Sequence, residues 1–344
     1  MTGHPRTAAE ALLGVAARQS LRAPSVLNTQ PWRWMIRGDT ADLCAAPDRH
    51  PQVTDPDGRL LMLALGAALH HAEVTVRSSG WRTAVDRFPE AIAAQAAATQ
   101  AAEPDEPVAR LRIAGFTPAD PRARELAAAI VRRRTDRRAF DGRPVPGRVL
   151  TALRRSVEAR GCHLYEVAAD EVPLLAAVTA RAAAEQRANV AYRAELDRWT
   201  HRPAQAGDGV PATTAVRQSP RRVPVRDFTP GGVPGLEPGP GHDAGAAYVV
   251  LFGADDDPAS WLRAGEALSE LLLSATAAGL STAPLSEAVE VAWPRRVLSG
   301  LLSGAGHPYL VVRMGHVGPG AAPLPSAPRR SATEVIDYAE RVAR

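Results

Sequence analysis

The sequence predicts an α+β fold made of two similar halves in tandem, and three observations carry that expectation. "GAALHHAEVTVRSSGWRTA" (66–84) lies over "GEALSELLLSATAAGLSTA" (265–283) at a constant shift of 199. The shift matches Gly66 with Gly265, Ala68 with Ala267, Leu69 with Leu268, Gly80 with Gly279, Thr83 with Thr282 and Ala84 with Ala283. The order of periodic segments also repeats, with a helix, two strands, a long apolar helix closed by glycine, and two further strands in each half. Finally, Leu60–Leu69 contains no charged residue, and a helix apolar on all sides belongs at the centre of a fold. The reading is a tandem duplication with halves at 1–117 and 118–344.

The elements follow in order. Residues 7–20 form a helix with Leu12, Leu13 and Ala16 at helical spacing. Pro24 and Pro31 bracket a loop, after which "WRWMIR" alternates Trp32, Trp34 and Ile36 against Arg33, Met35 and Arg37, the period of a strand. A second strand, 41–46, follows a turn at Gly38-Asp39. Thr54 or Asp55 caps the central helix, with Pro56 in its first turn. Strands at 81–88 and 108–115 complete the first half, and a helix at 120–134 opens the second. The second half has strands at 162–168 and 246–252 with a long insertion (170–245) between them. That insertion begins with helices over 171–200 and continues as a Pro-, Gly- and Arg-rich stretch without periodicity. Long irregular segments in compact domains are binding loops, lids or disordered. The anchors Trp199, Val210, Val225 and Phe228 favour a lid.

Composition excludes several classes. Hydrophobic residues make up 45% of the 344, which is globular protein. No segment reads as a secretory leader or a membrane span, so the expectation is a cytoplasmic protein without a membrane partner. The pI of about 9.5 suggests a nucleic-acid binder, yet 41 basic against 37 acidic residues leave a net charge of only +4. Every basic residue is arginine, which raises the pI without a strong field at neutral pH. Cys44 and Cys162 are too few for a disulfide framework or a zinc site. His70 and His71 are adjacent on a helix and point to different faces, so they read as core histidines rather than joint metal ligands. Asp255, Asp256 and Asp257 read as a cap for the helix beginning at Pro258.

Two stretches occur in one half only. "APSVLNTQPWRW" (23–34) reads either as a Pro-bounded turn with its tryptophans in the core, or as a loop whose Ser25, Asn28 and Gln30 meet the donor and acceptor edge of a flat polar heterocycle. "RRRTDRRAF" (132–140) reads either as a solvated charge run or as a phosphate clamp, in which forked guanidinium bonds are joined by the Thr135 hydroxyl.

Taken in order, "APSVLNTQPWRW", "TDPDGR", "RRRTDRRAF", "DGVP", "VRDF", "APLSEA" and "YLVVRMG" resemble the Acg family of nitroreductase-like flavoproteins across nearly the whole chain. The resemblance implies a nitroreductase-like fold in which the two halves stand for the two subunits of a dimer, with an inserted lid and one FMN. It implies that Arg133 or Arg134, Thr135 and Arg313 hold the FMN phosphate, and that Arg137 reaches the pyrimidine end of the flavin. Ser25, Asn28 and Gln30 would line the ring, and Pro284, Leu285 and Ser286 would lie near its N5. The first-half counterpart of Arg313-Met-Gly315 is Ile113-Ala-Gly115, which lacks the arginine. Where the family pattern carries histidine before the asparagine, this chain has Leu27, and Ala139 stands in place of a proline. The resemblance implies an oxidoreductase that takes electrons from NAD(P)H and passes them to a nitro compound or quinone, or else a protein that sequesters FMN beneath its lid. A monomer follows, because a fused dimer has already buried its main interface.

Overall fold

Thr7 opens the first helix by accepting the amide of Glu10 at 3.2 Å, and α1 (Ala8–Ser20) follows. The computed structural model describes residues 7–89 and 106–339. Beyond α1 come β1 (Trp32–Arg37), β2 (Thr40–Ala45), α2 (Arg59–Ser78), β3 (Trp81–Arg87) and β4 (Pro107–Phe116). The second part holds α3 (Pro121–Arg132), α4 (Gly147–Glu158), β5 (His163–Glu166), α5 (Val172–Ala188) and α6 (Val190–Thr200). Then follow β6 (Ala247–Gly253), α7 (Pro258–Ala277), β7 (Ser281–Leu285), α8 (Glu287–Glu290), α9 (Ala292–Leu301), β8 (His307–Gly315), α10 (Ala332–Val335) and β9 (Ile336–Tyr338).

Local chemistry accounts for the boundaries. In β1 the alternation predicted from sequence is realised, with Trp32, Trp34 and Ile36 at most 1% exposed. Gly38 takes a positive φ of 59° at the first turn position of the β1–β2 hairpin, where glycine is favoured. Asp257 caps α7 by accepting the amide of Ser260 at 2.7 Å, with Pro258 in the first turn. The start of α2 differs from the expectation. Its cap position is Gly58, with φ 74°, and Pro56 lies before the helix. Asp55 still satisfies the helix from a distance, because its carboxylate accepts the free amides of Leu60 (3.0 Å) and Leu61 (2.8 Å).

The strand orders of the two sheets correspond. The first runs β3-β4-β2-β1-β9 and the second β5-β6-β8-β7. With β1–β4 set against β5–β8, the same antiparallel neighbours recur in the same sequence. The two long helices, α2 and α7, pack on each other at Gly66 and Gly265. A Cβ on Gly66 would strike the Leu262 carbonyl, and one on Gly265 would strike the Leu63 carbonyl. Leu63 and Leu262 are themselves 199 apart, so the contact is the same in both directions, as across a two-fold axis. One turn on, His70 Nδ1 meets Ser269 Oγ at 2.8 Å, again at a shift of 199.

β9 breaks this correspondence. It comes from the C-terminal tail and pairs parallel to β1, with Trp34 opposite Ile336 and Ile36 opposite Tyr338. The tail therefore returns across the first half, a path that no periodicity in the sequence announced. Among the described residues, no helix is long and apolar enough to cross a membrane.

Replacing Gly66 with leucine is expected to lower the free energy of urea unfolding by about 3 kcal/mol or more, because the backbones cannot separate without opening the core. Gly142→Ala, where a Cβ meets nothing within 4 Å, should shift it by less than about 0.5 kcal/mol.

Candidate functional site

The loop after α1 carries unusual backbone. Leu27, Asn28 and Gln30 have φ of 51°, 54° and 51°. Asparagine tolerates this left-handed region, whereas leucine and glutamine are strained there by about 1–3 kcal/mol each. Tertiary contacts hold the strain. Leu27 packs with Tyr192, Leu196, Trp199, Val210 and Phe228 in a small separate core. Asn28 Nδ2 donates to the carbonyls of Gly209 (2.9 Å) and Pro328 (3.1 Å), while its Oδ1 accepts from Arg329 at 2.6 Å. Gln30 is fully buried and donates to the Gly207 carbonyl (2.9 Å), and its Oε1 accepts the Arg330 amide (3.0 Å). Between these amides, Asp208 is held by Arg202 (2.7 and 3.1 Å) and by Arg49. Burial works to raise the Asp208 carboxyl, but the two guanidiniums bring it below its ordinary value.

Two cavities meet behind this loop. The first, of about 830 Å³, is mostly apolar. Leu60, Leu63 and Ala64 of α2, Leu268 of α7 and Leu310 of β8 form its floor. Pro284, Leu285 and Ser286 form one side, and Val225, Arg226 and Phe228 of the 201–245 stretch form another. Arg137 enters with its guanidinium 4.3 Å from the centre of the Phe228 ring. No carboxylate among the described residues pairs with it, and burial together with Arg226 brings it down to about 10.

The second cavity, of about 800 Å³, shares Pro24, Ser25, Thr135 and Arg137 with the first. Arg22, Arg133, Arg134 and Arg329 converge on it, and none of its described lining residues is acidic. Arg133 is buried, and its Nε and Nη1 have no hydrogen-bond partner. Burial and the neighbouring Arg134 lower Arg133 to about 10, and burial with Arg133, Arg22 and Arg134 lowers Arg329 to about 9. The sign follows from the direction of these shifts. Groups whose basicity falls on folding oppose folding while protonated, and that opposition is lost only above about pH 9 to 10. At neutral pH the cluster is therefore short of an anion, which it would meet with forked, charge-assisted bonds.

Of the residues singled out from the sequence, Ser25, Arg137, Thr135, Pro284, Leu285 and Ser286 line the first cavity, and Asn28, Arg133 and Arg134 line the second. Arg132 is excluded, because it lies exposed on α3 and bonds only to the Ala128 carbonyl. Two expectations need correction. Gln30 does not line either cavity, since its amide is committed to Gly207 and Arg330. Arg313 lines neither cavity, although its Nε has no hydrogen-bond partner. It is fully buried, forks onto Asp243 at 2.8 Å, stacks on Phe140 and donates to the carbonyls of Asp136 (2.8 Å) and Arg138 (2.9 Å). Its task is to shape the turn that presents Arg137, so its absence from the first half says nothing about a phosphate site there. Thr135 and Asp136 tie the same turn to β7, where the Asp136 amide donates to the Thr282 carbonyl at 2.9 Å. Sequence reasoning missed Arg22, Arg329, Arg226 and Glu287. "VRDF" and "APLSEA" already held Arg226 and Glu287, whereas the position of "PRR" at 328–330 depends on the returning tail.

No family model matches the chain. Two Mycobacterium tuberculosis chains carry the name "Putative NAD(P)H nitroreductase". The first, Rv3131, is 37% identical over 331 residues, covering 94% of this chain and 91% of its own. The second, acg, is 34% identical over 326 residues, covering 93% and 94%. Among solved structures, the FMN-dependent nitroreductase NfnB from Mycobacterium smegmatis in complex with NADPH is 18% identical, with a TM-score of 0.40, covering 64% of this chain and all of its own. A nitroreductase with bound FMN from Desulfitobacterium hafniense is 14% identical, with a TM-score of 0.38, covering 63% and 98%.

Inorganic phosphate at ten times its Kd is expected to stabilise the ligand-free protein by about 1.4 kcal/mol, read as a rise in thermal midpoint. The double substitution Arg133→Ala with Arg329→Ala should abolish that rise. An equal rise in both proteins would remove the anion assignment.

Proposed function

Because the chain belongs to the Acg-like nitroreductase family, we propose that it binds one FMN and works as an NAD(P)H-dependent oxidoreductase on an electron-poor acceptor such as a nitro compound or quinone. In this reading it is a cytoplasmic monomer whose tandem halves take the places of two subunits. The observation that carries the proposal is the joining of an acid-free arginine lobe to an apolar lobe through Pro24, Ser25, Thr135 and Arg137. FMN has the matching parts, a phosphate dianion and a flat ring. The partnerless Nε and Nη1 of Arg133 are the buried donors that a phosphate would satisfy.

Arg133 and Arg134 with Arg22, Arg329 and the Thr135 hydroxyl would hold the phosphate, and Asn28 would orient Arg329. Arg137 would face the pyrimidine edge of the ring, where a cation favours the reduced, anionic form. Ser25 and the Pro284–Ser286 stretch would border the ring. When bound, FMN supplies the two-electron chemistry, and the protein supplies placement and field. Phe228 and Val225, from the stretch proposed as a lid, would exclude water. The proposal of one site per chain rests on the first half. There the residue 199 before Ser286 is Arg87, forked onto Glu266 at 2.6 and 2.7 Å, and Arg160 joins Glu73 at 2.9 Å. Ion pairs thus stand where the second half has a cavity wall.

A second reading, FMN held beneath a closed lid with little turnover, is favoured by one observation. The 207–209 stretch is fastened by Asn28, Gln30, Arg49 and Arg202 together.

The purified protein is expected to be yellow, and anaerobic NADPH should bleach it if the reductase reading holds. Bleaching by dithionite alone would favour the holding function, and a colourless protein that takes up no FMN would end both. Asp208→Asn removes the carboxylate between two guanidiniums. It is expected to speed reduction by NADPH and to expose residues 201–215 to limited proteolysis, and unchanged cleavage would show that the stretch is fastened elsewhere.

A further inference from the structure

The apolar lobe contains a carboxyl group that neither the phosphate clamp nor the ring contacts use. Glu287, the first residue of α8, is 5% exposed and forms part of the cavity wall. Three residues on, Glu290 is buried as well. Between these two acids the 201–245 stretch places a single cation, the buried Arg226.

The hydrogen bonds in this trio are allotted unequally. Arg226 Nη2 bonds closely to Glu290 Oε1, and Gln186 of α5 donates to Glu290 Oε2 at 2.5 Å. Glu290 thus has both oxygens satisfied by donors, as a carboxylate requires. Among the described residues, Glu287 receives only the longer approach of Arg226 Nε, at 3.5 Å. Two carboxylates next to one guanidinium in an apolar wall would leave a negative charge unbalanced, and burial makes that costly. A proton kept on one acid removes that cost, and the bonding pattern selects Glu287.

We propose that Glu287 is a proton-carrying residue of the apolar lobe, held as the neutral acid and releasing its proton to the bound ligand when that ligand gains electrons. This rests on the FMN reading above. The Glu287 O–H bond breaks, a bond forms between that proton and the ligand atom that has gained negative charge, and the carboxylate left behind lies beside Arg226. Dithionite supplies electrons alone, so the proton comes from Glu287, whereas NAD(P)H brings its hydrogen with the electron pair; the proton returns to Glu287 when the ligand is reoxidised. The surroundings of the group act in both directions, with burial and Glu290 favouring the neutral acid and the cations opposing it. Burial raises the Glu287 carboxyl above its ordinary range, Arg226 opposes that, Glu290 adds to it, and Arg187 of α5 opposes it weakly. Tyr192 of α6 faces Arg226 at 5.9 Å, and Arg295 of α9 bonds to the main-chain carbonyls of Val289 (2.9 Å) and Glu290 (3.5 Å) rather than to either carboxyl group. Arg137 enters the same lobe.

The test is infrared difference spectroscopy of the full-length protein. At neutral pH, wild type minus Glu287→Gln should contain one protonated-carboxyl C=O band without any reduction. The reduced-minus-oxidised spectrum of FMN-loaded wild type should lose that band and gain a carboxylate band, and Glu287→Gln should show neither change. In Glu290→Gln, Arg226 is released to Glu287, so the protonated band is expected to disappear although Glu287 is still present. A wild-type spectrum without the band, or a band unchanged in Glu287→Gln, would overturn the proposal. The visible spectrum reports flavin binding separately, so failure of FMN uptake is distinguishable from an ionised Glu287.

Discussion

The contact of backbone on backbone at Gly66 and Gly265 constrains everything around it. With no side chain at either position, α2 and α7 approach closely enough for each to meet the other's carbonyl neighbour. That approach brings Leu60, Leu63 and Ala64 of one helix and Leu268 of the other to a single cavity floor. It also makes the histidine and serine 199 residues apart into hydrogen-bonding partners. Any side chain at the crossing would wedge the halves apart, and a cavity built from both would lose its shape.

Around that rigid centre, the site concentrates unfavourable local features. Three left-handed non-glycine residues lie within four positions, and five arginines line a cavity with no described acid. Neither would persist in an isolated segment. The loop is held because Asn28 and Gln30 are bonded to two remote stretches, 207–209 and 328–330, and because Leu27 is seated in the small core of the insertion. Strain and like-charge repulsion are stored where the surrounding structure over-determines geometry, a pattern expected at ligand sites.

Much of this was legible. Periodicity placed the helices and strands, because the alternation of Trp32, Trp34 and Ile36 and the uncharged run in α2 report burial directly. The site loop and the arginine run were visible as chemistry out of proportion to a turn. The partners of individual side chains were not legible. Gln30 and Arg313 carry the right functional groups for a ligand, yet both are consumed by internal partners. Which partner a buried amide or guanidinium finds depends on segments hundreds of residues away, and the sequence near it holds no trace of that choice.

By itself the sequence determined the class of fold, the 199-residue correspondence and the stretches proposed to meet a ligand, because each depends on local pattern and residue type. Tertiary structure alone decided the rest. Packing of the tail against β1 delivered Arg329 to the arginine cluster, and a single guanidinium was divided between Glu287 and Glu290. Fastening of 207–209 to Asn28, Gln30, Arg49 and Arg202 was settled in the same way. These are outcomes of long-range packing, in which a side chain's role is set by which neighbours satisfy it and which leave it open to a ligand.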